Sequence, residues 1–560
     1  MGTYSRGHIC QCLSRLATVR RDSPLTISGS RQKTGEQFVE GVLGLARGLF
    51  ELGLRTGDIV AISALNSDLY LEWLLAIAFV GGIAAPLNYR WSLEEASLAM
   101  EVVRPILLVT DTISNFWHSE FRINSIPSLR WHVFMNTPIE ISSAVLTTET
   151  LKKPSLRSLP FNYLWAPEGS AIICFTSGTT GRPKGVIISH SALIVQSLAK
   201  IAIVGYSEDD IYLHTTPLCH IGGISSAMAM LMAGGCHVLI PKFEAKSAVQ
   251  AIEQHYVTSL ITVPAIMSDL ISLIRTKETW KDMKTMKKIL NGGGGLSVEL
   301  IKDATKIFPS AKLLSAYGMT ETCSSLTFII LYDPTSDHGQ PFQITGEIKS
   351  IPVHQTEGIC VGKPAPHVEL RIGVEDSSRV GRILTRGPHV MLRYWDQIPS
   401  KVSDTGDEDW LDTGDIGQMD DYGNLWLIGR TKGRIKSGGE NVYPEEVEAI
   451  LSQHKGVSGI VVVGFPDARL TEMVVACIQI RENWQWTDSS PDHSAKNKDL
   501  WLSSEILQHF CREKNLTGFK IPKTYIIWRK LFPVTTTGKL KRDQVRREIM
   551  SHLKLLPSNL

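Results

Sequence analysis

Apolar positions change period repeatedly along the chain. Phe38, Val42, Leu45 and Leu49 recur at helical spacing behind Thr34-Gly-Glu-Gln37, which has the form of a capping box, and Gly53 closes that helix. Asp58-Ile-Val-Ala-Ile-Ser63 follows as a buried strand, an apolar helix runs near Trp73 to Ala78, and Ala84-Ala-Pro-Leu-Asn88 is the next strand. Val102 to Thr110 and Trp131 to Met135 read as further strands, and Thr137 to Glu168 as an exposed connection. Helices alternating with strands predict an α/β sheet. The longest uncharged run, between Glu72 and Arg90, is broken by Gly81, Gly82, Pro86 and Asn88 and is short for a bilayer, so no transmembrane segment is expected.

A different pattern begins at Ala171. The apolar strand Ala171 to Phe175 leads into Thr176-Ser177-Gly178-Thr179-Thr180-Gly181-Arg182-Pro183-Lys184-Gly185, and Val186 to Ser189 read as a second strand. Those ten residues hold three glycines, four hydroxyls and two cations but no acid, so they form a candidate anion cradle rather than an ordinary Ser/Thr/Gly hairpin. Glycines let backbone N–H groups crowd onto a phosphate while the hydroxyls and cations add donors and charge. The spacing is not that of a Walker A loop. Further on, Lys288-Ile-Leu-Asn291 ends in four glycines, an arrangement that lets a flat ring lie against backbone. His220, in His214-Thr-Thr-Pro-Leu-Cys-His220-Ile-Gly-Gly223, would be an unremarkable strand-end histidine on its own.

Composition adds bounds. With 560 residues, 43% of them apolar and 20% charged, at least two domains are expected. A formal charge of +2 gives no general case for nucleic acid. The nine cysteines are scattered without C-x-x-C spacing, which fits a reducing compartment and no structural zinc.

The stretch T-S-G-T-T-G-R-P-K-G resembles the phosphate loop of the adenylate-forming enzymes, the superfamily of acyl-CoA synthetases, luciferases and peptide-synthetase adenylation domains, and the resemblance continues in that family's order along nearly the whole chain. It implies a large N-terminal domain of α/β sheets with a distorted barrel and a smaller, mobile α+β C-terminal domain. The expected division is 1–430, a hinge at 431–433, and 434–560. The implied substrates and cofactors are a small-molecule carboxylic acid, ATP, Mg²⁺ and coenzyme A.

Residue by residue, the resemblance assigns Thr176, Ser177, Gly178, Thr179, Thr180, Gly181 and Lys184 to the phosphates and His220 to the border of the acyl pocket. Gly293 and Gly294 lie against adenine, with Tyr317 of Tyr317-Gly-Met-Thr-Glu321 packing on the ring, Thr320 on a phosphate oxygen and Glu321 on the metal. Asp415, in Asp412-Thr-Gly-Asp415, takes the ribose hydroxyls, and Arg430 reaches ribose or phosphate. Lys436, Gly438 and Gly439 serve the C-terminal half of the site, the two glycines lining the thiol's path. Lys539, in Phe532-Pro533-Val-Thr-Thr-Thr-Gly538-Lys539, matches the adenylation lysine. Lys432 stands where most relatives have Asp, and Gly433 replaces a second acid.

These motifs give the reaction and not the acid. Asn88-Tyr-Arg-Trp-Ser92 and Thr517-Gly-Phe-Lys-Ile-Pro-Lys523, with the histidine and glycine stretches above, are most similar to plant ligases acting on an aryl keto acid with a second carboxylate, on the route to phylloquinone. Another aryl or fatty acid, or a carrier protein as acceptor, is the alternative. The first 21 residues carry Arg6, Arg15, Arg20 and Arg21 and no acid, as transit peptides do, and Ser558-Asn559-Leu560 is a loose relative of a peroxisomal address. Chloroplast, peroxisome or both are the expected sites.

Overall fold

The computed structural model describes the chain except for residues 1–6, 112–124, 137–144, 154–158, 160–161, 177–182, 277–282, 336–357, 374–378, 398–409, 438–439, 468–469, 488–499, 515, 517, 536–539 and 554–560. Two compact units emerge: Met1–Ile351 with Val361–Leu370 and Thr385–Leu411, and Asp412–Leu560 with Pro352–Cys360 and Arg371–Leu384.

The first unit alternates helix and strand from its start: α1 (Cys12–Val19), β1 (Pro24–Ser28), β2 (Arg31–Thr34), α2 (Gly35–Glu51), β3 (Ile59–Ser63), α3 (Asp68–Phe79) and β4 (Ile83–Pro86). The capping box at Thr34 and Gln37 forms as the sequence predicts. Every residue of α3 is buried, which is why its apolar positions show no single face. Next come α4 (Leu93–Val103), β5 (Leu107–Thr110), β6 (Trp131–Phe134), the short α5 (Thr148–Leu151), β7 (Ser170–Thr176) and β8 (Lys184–Ser189). One sheet runs in the order β6-β5-β3-β4-β7-β8 with the two-residue strand Arg393–Tyr394 at the edge beside β8, parallel except for the β7–β8 hairpin and that edge pair.

The remainder adds α6 (His190–Val204), β9 (Ile211–His214), α7 (Ile221–Ala233), β10 (Cys236–Leu239), α8 (Ala245–His255), β11 (Ser259–Thr262), α9 (Pro264–Thr276), β12 (Lys288–Asn291), α10 (Val298–Ile307), β13 (Lys312–Tyr317) and β14 (Thr327–Tyr332). Here the strands order as β14-β13-β12-β11-β9-β10-β1-β2, parallel from β13 to β1. Parallel strands covered by helices on both faces need near-continuous apolar sequence, and β3, β4, β5 and β10 are buried throughout.

Three expectations change. The distorted barrel is not found as a closed sheet among the described residues: β14 stays open-sheet, pairing Thr327 and Phe328 with Pro364 and Lys363. Only Leu107–Thr110 of Val102 to Thr110 is strand, because Ser92 and Glu95 form a capping box that starts α4, and the helix runs through Val103 to a left-handed Arg104 (φ 51°). The connection Thr137 to Glu168 is not wholly exposed, since Thr147, Thr148 and Leu151 are buried and Thr148 Oγ1 accepts a hydrogen bond from Trp73 Nε1 at 3.0 Å.

Charge is also buried in this unit. Glu72 on α3 is fully buried between Lys33 Nζ at 2.6 Å and Lys152 Nζ at 2.5 Å, and Lys33 also reaches Asp68 at 2.7 Å, which Arg31 meets at 2.8 Å. Burial alone would raise the Asp68 carboxyl; the cations of Lys33 and Arg31 outweigh it and hold the group below its usual range.

In the second unit, the strands Leu411–Met419 and Leu425–Arg430 form a hairpin. Beyond it, Glu440–Val442, Ile435–Ser437, Thr471–Ile480 and Val457–Asp467 pair antiparallel in that order, and Thr524–Ile527 joins Thr471–Ile480 in parallel. Helix Pro444–Leu451 opens with Pro444, Glu445 and Glu446, as its dipole favours. Arg542 ties that helix down, pairing with Glu445 and Glu448 and donating to the Val462 carbonyl at 2.7 Å.

Removing one member of a buried ion cluster leaves its partners uncompensated. Glu72→Gln is expected to cost the first unit about 3 kcal/mol, seen as an earlier urea transition reported by tryptophan fluorescence. An unchanged midpoint would show that Lys33 and Lys152 are satisfied without the carboxylate.

Candidate active site

Of the anion-cradle residues, Thr176, Lys184 and Gly185 lie in the strands of the β7–β8 hairpin. Ser170 to Cys174 are buried, Phe175 and Thr176 emerge, and Thr176 pairs with Lys184 across the hairpin. Ser177, Gly178, Thr179, Thr180 and Gly181 lie outside the described residues. The ammonium of Lys184 stands 5.3 Å from the centre of the Tyr394 ring, a cation–π distance.

Tyr394 also meets Glu321. Its hydroxyl donates to Glu321 Oε1 at 2.9 Å, and the Met391 N–H donates to the Glu321 carbonyl at 2.8 Å. Burial, then the Glu321 charge, pushes the Tyr394 phenol upward, so it stays a donor. Glu321 is 8% exposed, and no described Lys, Arg or His forms an ion pair with it. A nearly buried carboxylate held by one phenol and lacking a cation fits Mg²⁺, which takes few protein ligands and completes its shell from phosphates and water. Among the described residues no cluster of three or more metal-type side chains exists.

Glu321 sits in a turn that doubles back on β13. Thr320 to Thr322 make one 3₁₀ turn, Cys323 and Ser324 have φ of 53° and 103°, and the Leu326 N–H returns to the Tyr317 carbonyl at 2.7 Å. The turn passes so close to Gly318 that a Cβ there would overlap the Ser324 carbonyl oxygen. Thr320 is half-buried at the start of this turn and Tyr317 half-buried at the end of β13.

Beside it, β12 ends at Asn291, in register with Ser315 of β13. Asn291 Nδ2 donates to Gly294 O at 2.7 Å and to Ser315 Oγ at 3.1 Å, fixing the glycine turn in which Gly293 has φ 70°. Gly293 and Gly294 are exposed, with the side chains of Val263 and Pro264 beneath them. The structure thus places the two glycines and Tyr317 at the ends of neighbouring strands.

His220 is the N-cap of α7 and half-buried. Asn66 shapes its loop, accepting from Leu218 N at 2.8 Å and donating to Thr216 O at 3.1 Å. Gly223 has no room for a side chain against Pro217, whereas Gly222 has little around it. Behind this helix Lys200 of α6 is fully buried, and its Nζ donates to Ser225 Oγ at 2.6 Å, Ser226 Oγ at 3.1 Å and Ser324 Oγ at 3.3 Å. Burial lowers its pKa to about 7.

In the second unit, Asp415 is 4% exposed and paired with Arg430 Nε at 3.1 Å, its neighbour across the hairpin. Asp412 accepts from the Gly414 N–H at 2.8 Å and from Arg382, so its role is to shape the turn. Lys436 lies in the strand Ile435–Ser437, and Gly438, Gly439 and Lys539 fall outside the described residues.

Sequence reading missed Tyr394, Asn66 and Lys200. Lys200 had a visible signal, since it shares a helical face with Leu193, Gln196 and Val204, all buried.

The family model for AMP-binding enzymes matches residues 13–395, and that for the AMP-binding enzyme C-terminal domain matches residues 446–539. The 2-succinylbenzoate–CoA ligase of Arabidopsis thaliana, designated chloroplastic/peroxisomal, is 57% identical over 570 residues, covering 100% of both chains. The o-succinylbenzoate CoA synthetase of Bacillus subtilis with its acyl-adenylate intermediate superposes with a TM-score of 0.74 at 24% identity, over 97% of this chain and 98% of that one. The same enzyme with ATP and magnesium gives 0.73 at 23% identity, over 95% and 98%.

Because the Glu321 turn depends on a missing side chain, Gly318→Ala is expected to destabilise the first unit by about 2 kcal/mol, the usual scale of overpacking. Its thermal midpoint should fall measurably, and an unchanged midpoint would mean that the turn yields freely.

Proposed function

Because the chain belongs to the AMP-binding enzyme family, we propose that it is an ATP-dependent acid–CoA ligase that converts 2-succinylbenzoate, through an acyl-adenylate, to 2-succinylbenzoyl-CoA. The observation carrying this is 57% identity to a plant ligase for that acid across the full length of both chains. The relative's designation, with the terminal compositions described above, supports chloroplast and peroxisome as its locations and phylloquinone synthesis as its setting. No helix among the described residues is long and apolar enough to cross a membrane.

Two anions must meet in the first half-reaction. A substrate carboxylate oxygen attacks the α-phosphorus, the bond to the β-phosphate oxygen breaks, and pyrophosphate leaves. Lys184 and the loop from Thr176 to Gly181 bind the departing phosphates. Thr320 donates to a phosphate oxygen. Glu321 is the residue that would hold Mg²⁺, and Tyr394 keeps its carboxylate aimed by occupying one oxygen. When bound, the metal offsets the charge of the phosphate oxygens it touches.

Gly293, Gly294 and Tyr317 form the adenine platform. Asp415 takes the ribose hydroxyls, since a carboxylate accepts several donors at once, and Arg430 lies beside it at 3.1 Å. His220 borders the reacting carboxylate. In the second half-reaction the CoA thiolate attacks the acyl carbonyl and AMP leaves. Lys436, Gly438 and Gly439 serve that step, and residues 431–433 are the hinge between domains 1–430 and 434–560. Lys539 belongs to adenylation alone: a cation about 4 Å from the anions contributes about 4 kcal/mol in gross Coulomb terms at an effective dielectric near 20.

Purified protein with Mg-ATP, CoA and a panel of 2-succinylbenzoate, benzoate, coumarate and medium-chain fatty acids should give 2-succinylbenzoyl-CoA as the dominant product by mass. Another dominant thioester would overturn the substrate, and AMP without thioester would overturn CoA as acceptor. Lys539→Ala is expected to slow adenylation at least about a hundredfold while thioester formation from preformed acyl-adenylate stays near wild type. Equal losses in both steps would reject that division of roles.

A further inference from the structure

The chemistry above leaves one buried charge unused. Lys200 projects from the buried face of α6, is fully inaccessible, and has only serine hydroxyls as hydrogen-bond partners. Among the described residues no carboxylate pairs with it. Hydroxyls solvate an ammonium without neutralising it, and a charge buried on those terms is normally completed by an anion. Its lowered pKa has the same cause, burial without a compensating acid.

The positions of the serines indicate where an anion would come from. Ser225 lies on the first turns of α7, one helical turn beyond Gly222, and α7 begins at His220. Ser324 is partly exposed and lies three residues after Glu321. One segment therefore starts at the residue assigned to the reacting carboxylate and the other at the residue assigned to the metal, and both lead away to Lys200. Each hydroxyl that accepts from Lys200 keeps its own proton. That of Ser225 faces the Gly222 carbonyl at a long 3.4 Å, and that of Ser324 faces Ser325 Oγ at 3.3 Å. Neither is committed to a short bond, and Ser324, the partly exposed one, is available to turn toward a stronger acceptor.

The acid itself supplies such an acceptor. 2-Succinylbenzoate reacts through the carboxylate of its succinyl chain and carries a second one on the ring, several bonds away. We propose that Lys200, acting through the hydroxyl of Ser324, forms the subsite for this ring carboxylate and so selects the acid; the assignment rests on the ligase reading above. Ser324 contacts the carboxylate and Lys200 sits one atom behind it, neutralising the charge, while the fully buried Ser225 and Ser226 hold the ammonium in place. A monocarboxylic analogue leaves the ammonium without its anion, which makes the subsite a filter as well as a grip.

The test compares kcat/KM for 2-succinylbenzoate with that for 4-oxo-4-phenylbutanoate, the same molecule without its ring carboxylate. Wild type should prefer the dicarboxylate at least about a hundredfold, the discrimination expected when a buried polar site is left unpaired. Lys200→Met should reduce that preference to less than about tenfold, chiefly through KM, with KM for ATP unmoved. Loss of activity on both acids in equal proportion, or an unchanged preference, would overturn the subsite and leave Lys200 a structural tie. Ser324→Ala, at a partly exposed position, decides the matter if the lysine variant does not fold: its preference must fall too, and a retained preference rejects the proposal. Failure of wild type to use 2-succinylbenzoate at all overturns the ligase substrate and this subsite together, whereas normal turnover with an insensitive preference overturns the subsite alone.

Discussion

A backbone contact governs the first unit's chemistry: the chain after β13 folds back so tightly that Gly318 lies under the Ser324 carbonyl. Two residues in the left-handed region, Cys323 and Ser324, are the conformational cost of that return. In exchange, Glu321 is carried inward to the Tyr394 hydroxyl, and Ser324 is carried to Lys200. Gln196 secures the same turn from α6 by donating to the Thr322 and Ser325 carbonyls at 3.1 and 2.6 Å. One short turn therefore sets the aim of a metal-type carboxylate and the reach of a buried ammonium.

The units differ in how they place charge. In the first, acids are enclosed by lysines from distant strands and helices, as with Glu72 between Lys33 and Lys152. In the second, the glutamates that open helix Pro444–Leu451 share Arg542 and Lys520, the latter reaching Glu446 at 2.8 Å. There the helix start is set by the ion pairs as well as by Pro444. Lys200 fits neither pattern, because its partners are all neutral.

Much of this organisation was legible because it is local in sequence. The Thr34 capping box, the alternation through β4, the β7–β8 hairpin, and the glycines after Asn291 all depend on neighbours a few residues apart. What escaped notice is long-range. Tyr394 and Glu321 are 73 residues apart, and Lys200 meets Ser324 across 124. Periodicity puts Lys200 on an apolar face but cannot name the hydroxyls there. The helix at Leu93–Val103 is a different kind of miss: Ser92 and Glu95 announced it, and the apolar residues Val102 and Val103 next to β5 masked its end. The open sheet at β14 depends on a partner more than thirty residues onward, which no local pattern encodes.

The opening helix serves two requirements at once. Leu13 and Leu16 of α1 are buried in the same core as Leu45 of α2 and Leu231 of α7, and the Arg20 carbonyl receives the Gly35 N–H that begins α2. Arg15 and Arg20 meanwhile point away, to Glu208 and to the Gly234 carbonyl. Arg15 and Arg20, two of the arginines that give this segment the composition of a sorting sequence, are thus fastened to the folded body. Any recognition of Cys12–Val19 as an extended chain would therefore first require α1 to leave that core.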